Sequence, residues 1–117
     1  MPTIRELVRA IAQRDGVEAA VVLGRDGLLI EGRTSDALDG EHLAALAPAV
    51  VSAADSVGET ASRGAFITAV LEFAHGVALI SSLNADALLL VMVHPGANVG
   101  SLLFDLRRHR ANIASIV

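Results

Sequence analysis

The stretch VALISSLNADALLLVMV, residues 77–93, decides the fold class of this chain. Two apolar runs, residues 77–83 and 87–93, flank the turn-forming triplet Asn84-Ala85-Asp86. A connection this short joins antiparallel neighbours. The second run is apolar at every position, which is typical of a strand that is covered on both faces of a sheet. The stretch therefore predicts an antiparallel pair whose second strand is central.

Three further strands are predicted on the N-terminal side of this pair. Residues 17–23 are an apolar and β-branched run before Gly24-Arg25-Asp26-Gly27, and residues 28–33 after it predict the return strand. The Asp-Gly step in that loop favours a hairpin. Residues 65–73 predict a third strand, which turns back through His75-Gly76 into the first run of the central pair.

Helical periodicity appears in three places. A capping box that opens with Thr3 precedes apolar positions at helical spacing over residues 4–12. Residues 41–62 are rich in alanine and helical in period, and Asp39 can cap their start. Asn98 can cap a last helix.

Length and composition favour a single packed domain. The chain has 117 residues, of which 53% are apolar and 3% aromatic, so its core must be built from Leu, Val, Ile and Ala. The order α-β-β-α-β-β-β-α predicts one α+β domain over residues 1–117, with a five-stranded antiparallel sheet flanked by helices. The absence of cysteine excludes disulfides and cysteine zinc sites, and it suits a cytoplasmic protein.

The charged residues exclude several kinds of function. All nine basic residues are arginine, so the chain has no lysine for a Walker-A loop or a Schiff base. A net charge of -4 and the absence of Tyr and Trp argue against a nucleic-acid partner. No stretch reaches the roughly 20 continuous apolar residues of a membrane span, and the N-terminus lacks a signal-peptide pattern. We therefore expect a cytoplasmic protein that does not insert into membranes.

No residue pattern indicates catalysis, a cofactor or a metal. The histidines are scattered, without an i, i+4 pair or a cysteine beside them: His42, His75, His94 and His109. No serine stands in a nucleophile motif. We expect a protein that is not an enzyme and that binds no cofactor.

Two groups of charged residues are open to more than one interpretation. Asp55 and Glu59 share one side of a helix, either as a solvated acidic strip or as a docking edge for a partner, with acid–base catalysis least favoured. A basic cluster near the end of the last helix either grips an acidic partner or complements the helix dipole. Its members are Arg107, Arg108, His109 and Arg110.

The strand 65–73 and the helix before it predict a homodimer. Both faces of the strand are largely apolar, and Glu72 is its only charge, which is unusual for an exposed edge. The helix is apolar all round. If both lie at one edge of the sheet, a second copy would cover them; in the alternative, the strand is internal. The expected interface comprises Val50, Ala54 and Val57 on the helix and Phe66, Thr68 and Val70, which alternation places together on one face of the strand.

Two segments carry a resemblance to a known family. VVLGRDGLLI (residues 21–30) and ANVGSLL (residues 97–103) are similar to the first hairpin and to the start of the last helix of the Roadblock/LC7 family. With the order of elements, the resemblance covers nearly the whole chain. More narrowly, the chain resembles the short stand-alone prokaryotic members, the MglB-like ones. Leu103 stands where such helices often carry an arginine, so a contact through that arginine is not carried over.

The resemblance implies a non-enzymatic homodimer of profilin-like α+β fold, in which two sheets join and the long second helices lie side by side. It also implies binding and regulation of a small Ras-like GTPase, by MglB-like activation for example. The alternatives are a purely structural dimerisation scaffold and, least favoured, a small-molecule sensor of PAS- or GAF-like type.

The resemblance also indicates where a GTPase would bind. The partner would meet the second helix, whose polar positions on this chain are His42, Asp55, Glu59 and Arg63. Whether an arginine acts as a finger in trans is open, and the candidates are Arg25, Arg33 and Arg63.

Overall fold

The computed structural model describes residues 3–117, and Met1 and Pro2 lie outside the described residues. Its elements are α1 (Ile4–Ala12), β1 (Val17–Gly24), β2 (Leu29–Thr34), α2 (Gly40–Thr60), β3 (Thr68–Phe73), β4 (Gly76–Ser82), β5 (Ala87–Val93), α3 (Val99–Arg108) and α4 (Arg110–Ile116). The strands form one antiparallel sheet in the spatial order β2-β1-β5-β4-β3. The predicted α+β fold with a five-stranded antiparallel sheet is confirmed.

The helices begin where the sequence predicts. Thr3 Oγ1 accepts a hydrogen bond from the N–H of Glu6 at 3.1 Å, and Asn98 Oδ1 accepts from the N–H of Ser101 at 2.9 Å. Asp39 caps α2 in the same way, through the N–H of its third residue. Each cap satisfies a backbone donor that the first turn of a helix leaves unpaired.

Two hydrophobic cores lie on the two faces of the sheet. One face is covered by α1, α3 and α4, with Val8, Leu79 and Leu89 among its buried residues. The other is covered by α2 alone, with Leu23 and Leu88 among its buried residues. Successive residues of β5 alternate between the two cores, so β5 is the central strand that its unbroken apolar run predicts.

The C-terminal region differs from the prediction of a single last helix. α3 ends at Arg108, His109 leaves the helical conformation, and α4 begins at Arg110. The order therefore ends in two helices. The break brings Ile113 into the core on the α1 side, and Asn84 Nδ2 donates to the carbonyl of Val117 at 3.3 Å. The burial of Ile113 depends on contacts between distant segments, so the break between α3 and α4 cannot be predicted from the local helical pattern.

β3 begins later than predicted, at Thr68, and this changes one face assignment. Phe66 packs into the core under α2, whereas Val70 pairs with Leu79, which belongs to the opposite core. The prediction that Phe66 shares a face with Thr68 and Val70 is wrong. The N–H of Phe66 donates to Asp55 Oδ1 at 3.1 Å, which ties this segment to α2 instead of extending the strand.

The two edge strands of the sheet differ in regularity. In β2, Glu31 pairs with Val22 and Leu29 pairs with Leu23, so Ile30 is an extra residue in a β-bulge. In β3, the pairing with β4 runs from Thr68 to Phe73 without a shift of register. The sheet therefore has one bulged edge and one regular edge.

Two glycines allow close packing around α2. Gly27, at φ +87°, closes the β1–β2 hairpin, and a Cβ there would lie 3.4 Å from the Cα of Ala45. A Cβ on Gly58 would lie 2.5 Å from the carbonyl oxygen of Gly64, because the loop after α2 folds back over the helix. None of the helices within residues 3–117 is long and apolar enough to cross a bilayer.

Candidate partner-binding surface

Helix α2 leaves two of its larger apolar residues at the surface while smaller residues pack against the sheet. Ala44, Ala47 and Val51 are buried, whereas Leu46 and Val57 are 57% and 68% exposed. A helix that packed only on its own sheet would bury its largest apolar side chains. The outward stripe of α2 is therefore suited to contact with another molecule.

One helix is too narrow to cover the face of the sheet on which α2 lies. A helix is about 10 Å across, whereas five strands spaced about 4.8 Å apart span about 19 Å. On the β3 side of α2 an apolar groove of 170 Å³ stays open. We call it the α2–β3 groove; its lining includes Leu43, Leu46, Val50, Leu71, Phe73 and Met92.

The residues predicted for a dimer interface lie on two adjacent elements. On α2, Val57 is exposed whereas Val50 and Ala54 are half-buried, and Thr68 and Val70 belong to β3. The expectation that β3 is an edge strand is confirmed, so the alternative of an internal strand is wrong. Whether a second copy covers this edge stays a prediction.

Sequence reasoning missed most of this surface. Leu43, Leu46, Leu71, Phe73 and Met92 line the α2–β3 groove but were not among the predicted interface residues. Strict alternation along β3 places Leu71 and Phe73 on one face, so that signal was present in the sequence. Alternation alone predicts that this face is buried. It does not show how much of the sheet a single helix covers, and therefore which of its residues stay exposed.

Arg25 and Asp55 join four elements at the C-terminal half of α2. Arg25 Nη2 donates to Ser82 Oγ at 2.8 Å, and Arg25 Nη1 lies 3.9 Å from Asp55 Oδ2. The other carboxylate oxygen of Asp55 accepts from the N–H of Phe66. In the part of the chain that the structure describes, the buried Arg25 Nε has no hydrogen-bond partner. Both side chains are therefore held within their own chain.

Glu59 lies beside this pair. A polar groove of 280 Å³ runs along α2 and is lined by Arg25, Ser52, Asp55, Ser56 and Glu59, among others. Glu59 is exposed, one helical turn after Asp55. Three of the six residues predicted for partner binding, Arg25, Asp55 and Glu59, are thus brought together.

The other three residues lie apart. His42 is exposed in the first turn of α2, about 20 Å along the helix axis from Asp55. Arg63 follows the end of α2, where its guanidinium donates to the carbonyl of Ala61 at 3.0 Å. Arg33 pairs with Ala20, a residue of the core on the α1 side, so it faces away from α2. The six predicted residues do not form a single site.

The remaining titratable groups form no metal-binding cluster within residues 3–117. No three His, Asp or Glu side chains in that range lie close enough to hold a metal ion. His94 Nδ1, just after the end of β5, lies 2.9 Å from Oε1 of Glu18 on β1.

Replacing Asp55 by alanine is expected to lower the free energy of unfolding by about 1–2 kcal/mol, because the N–H of Phe66 loses its acceptor and Arg25 loses its counter-ion. Glu59→Ala is the matched control, on the same helix and with the same loss of charge, and we expect a change within about 0.5 kcal/mol. Urea denaturation followed by circular dichroism measures both. Equal stability of the two variants would show that Asp55 does not stabilise the packing of α2 against the segment before β3.

Comparison with known proteins agrees with this geometry. The model of the Roadblock/LC7 domain matches residues 3–93. MJ1340, an uncharacterized protein of Methanocaldococcus jannaschii, is 23% identical over 113 residues, which cover 97% of this chain and 98% of the relative.

Solved structures share the fold. A Roadblock/LC7 domain from Streptomyces avermitilis has a TM-score of 0.84 at 23% identity, over 96% of this chain and 95% of that one. MglB from Myxococcus xanthus has a TM-score of 0.86 at 15% identity, over 97% of this chain and 93% of MglB. Since the family model matches well over half of its residues, the chain belongs to the Roadblock/LC7 domain family.

Proposed function

We propose that this chain is a non-catalytic homodimeric adaptor that binds and regulates a small Ras-like GTPase. Membership of the Roadblock/LC7 family and the likeness of its fold to MglB support this proposal. The observation that carries it is the surface of α2, where large apolar side chains face outward beside an open apolar groove.

Two neighbouring exposed features, an apolar groove and an unpaired strand edge, support the homodimer. The α2–β3 groove leaves apolar surface uncovered, and β3 beside it is a regular edge with free backbone donors and acceptors. A second copy related by a two-fold axis would pair β3 with β3 and lay α2 beside α2. The interface then contains Val50, Ala54, Val57, Thr68 and Val70, together with Leu46, Leu71 and Phe73; Phe66 supports it from the core.

The GTPase would bind along the paired α2 helices. Glu59 and His42 are exposed there, and the polar groove beside Asp55 offers hydrogen-bonding groups. Regulation would arise from contact that favours one arrangement of the switch regions, a population shift that needs no catalytic group from the adaptor. Among the arginines, Arg63 is the best candidate for a finger, because Arg25 is held by Ser82 and Arg33 faces the α1 side.

A pull-down from the native lysate tests this function. The purified protein is the bait, with excess non-hydrolysable GTP analogue in one arm and GDP in the other. We expect a small GTPase to be retained with the analogue only. Equal retention in both arms would indicate a scaffold that does not sense the nucleotide, and recovery of no GTPase would contradict the proposal.

Hydrolysis by the recovered GTPase then tests the arginine. If Arg63 stabilises the transition state in trans, Arg63→Ala should lower the stimulated rate by about 10³-fold or more. Arg33→Ala, an equally exposed arginine on the other face of the sheet, is the control and should leave the rate unchanged. A stimulated rate that survives Arg63→Ala would leave contact with α2 as the source of regulation.

A further inference from the structure

The corner between α3 and α4 carries positive charge without a counter-ion. Within residues 3–117, no carboxylate lies within 4.0 Å of the guanidinium groups of Arg107, Arg108 or Arg110, although the chain has a net charge of -4. Arg107 and Arg110 line a crevice of 20 Å³ together with the hydroxyl-bearing Thr68 and Ser81. That volume is about the room that one water oxygen needs. The crevice is too small for a small molecule, and Arg107 and Arg110 are the charged residues of its otherwise mostly apolar lining.

Glu72 is the one charged residue of β3, and in the described part of the chain it has no ion pair. It is exposed and shares a face of the strand with Thr68, because side chains four residues apart point the same way. Within one copy it lies about 13 Å along the strand from Thr68. Glu72 is therefore on the correct face for the basic corner but remote from the corner of its own chain.

The register of a β3–β3 pair follows from symmetry, and this step rests on the homodimer proposed above. With both α2 helices on the same side of the joined sheet, the two-fold axis is perpendicular to the sheet. Residues that lie opposite each other in an antiparallel pair point to the same face. Thr68, Val70 and Glu72 of one copy must then lie opposite members of that same set in the partner.

Backbone hydrogen bonds select one register. The N–H of Ser82 donates to the carbonyl of Ile67 at 2.8 Å, so odd-numbered residues of this segment direct their backbone groups toward β4. Thr68, Val70 and Glu72 direct theirs outward. All three find partners within β3 when Val70 lies on the two-fold axis, since Thr68 then lies opposite Glu72 of the partner subunit.

We propose that Glu72 of the partner subunit binds between Arg107 and Arg110, and that this ion pair forms twice in the dimer. In the selected register the partner's Glu72 has its Cα about 5.5 Å from that of Thr68, on the face that carries the basic corner. Both arginines line the crevice that contains Thr68. Carboxylate–guanidinium pairs of this kind fix register and partner choice more than they add affinity.

Charge reversal tests the contact. Glu72→Arg places like charges at both corners, and we expect the dissociation constant of the dimer to rise by about tenfold or more. Combining it with Arg107→Glu and Arg110→Glu restores opposite charges and should restore the wild-type constant. Asp36→Arg, the same change of charge in the exposed loop after β2, is the control and should have no effect. Analytical ultracentrifugation measures all four proteins.

The outcomes separate this inference from the proposed function. A wild-type protein that stays monomeric at micromolar concentration would contradict the homodimer itself. A wild-type dimer that Glu72→Arg does not weaken, or that the triple variant does not restore, would overturn the ion pair and leave the dimer in place.

Cysteine cross-linking tests the register independently of charge, because the chain has no native cysteine. An equal mixture of Thr68→Cys and Glu72→Cys should form a mixed disulfide dimer, since their Cα atoms lie within the usual range. Cross-linking of Glu72→Cys with Val70→Cys in its place would indicate a register centred on Leu71 and would overturn the inference.

Discussion

Replacing Leu46 by glutamate is expected to convert the dimer into a monomer. Leu46 lies in the α2–β3 groove, where the proposed second copy would cover it. Because of the two-fold symmetry, each dimer would bury two carboxylates without counter-ions, and each costs several kcal/mol. We expect the dissociation constant to rise by about a hundredfold or more. Analytical ultracentrifugation over a concentration series measures this constant.

The change should leave the fold of the monomer intact, because Leu46 is exposed there, and circular dichroism checks this. Leu28→Glu is the matched control: Leu28 is 69% exposed beside the bulged edge of the sheet, and its replacement should not alter the dimer. If both variants weaken the dimer equally, or neither does, the α2–β3 groove is not the interface.

Replacing Leu89 by alanine is expected to lower the free energy of unfolding by about 2–5 kcal/mol. Leu89 is 1% exposed in the central strand β5, and its side chain fills the core between the sheet and the helices α1 and α3. The cost combines lost burial with the cavity that remains. Against a total of about 5–15 kcal/mol for a typical domain, this loss is large.

Phe104→Ala is the control for this second prediction. It removes a larger side chain, but Phe104 is 62% exposed on α3, so we expect a change below about 1 kcal/mol. Urea denaturation is run at one protein concentration, because association with a second copy adds to the apparent stability. A Leu89→Ala variant as stable as Phe104→Ala would show that the face of the sheet covered by α1 and α3 is not packed as described.

The elements that the sequence predicts best are those that a short run of neighbouring residues specifies with only one interpretation. The apolar run of β5 identifies a central strand because only a strand covered on both faces tolerates it. The hairpin at Gly27 and the caps at Thr3 and Asn98 follow from backbone needs that few residue types meet.

The remaining features depend on contacts between distant segments. The break at His109 contains neither glycine nor proline and follows from the burial of Ile113. The face of Phe66 is set by a bond to Asp55 on α2. The sequence made Arg25 a candidate for contact with a partner. In the structure its guanidinium is hydrogen-bonded to Ser82, which is distant in sequence.

The orientation of α2 shows the same limit for the candidate site. A helix that is apolar all round has no single apolar side, so its sequence does not indicate which side meets the sheet. Packing decides it, because the small residues Ala44 and Ala47 allow close approach and leave Leu46 outside. The apolar surface and Val57 within it were predicted from the sequence, but the outward position of Leu46 was not.

The bulge at Ile30 has a consequence for the size of any assembly. A sheet with two regular edges offers a template at each end, and copies joined through both would grow into a filament. In the proposed dimer the two β3 strands pair with each other. The strands that remain at the two edges of the joined sheet are then the bulged β2 strands. The extra residue interrupts the hydrogen-bond ladder at one end of β2, which disfavours the addition of a further strand there. In the proposed dimer, one inserted residue therefore works against growth into a filament.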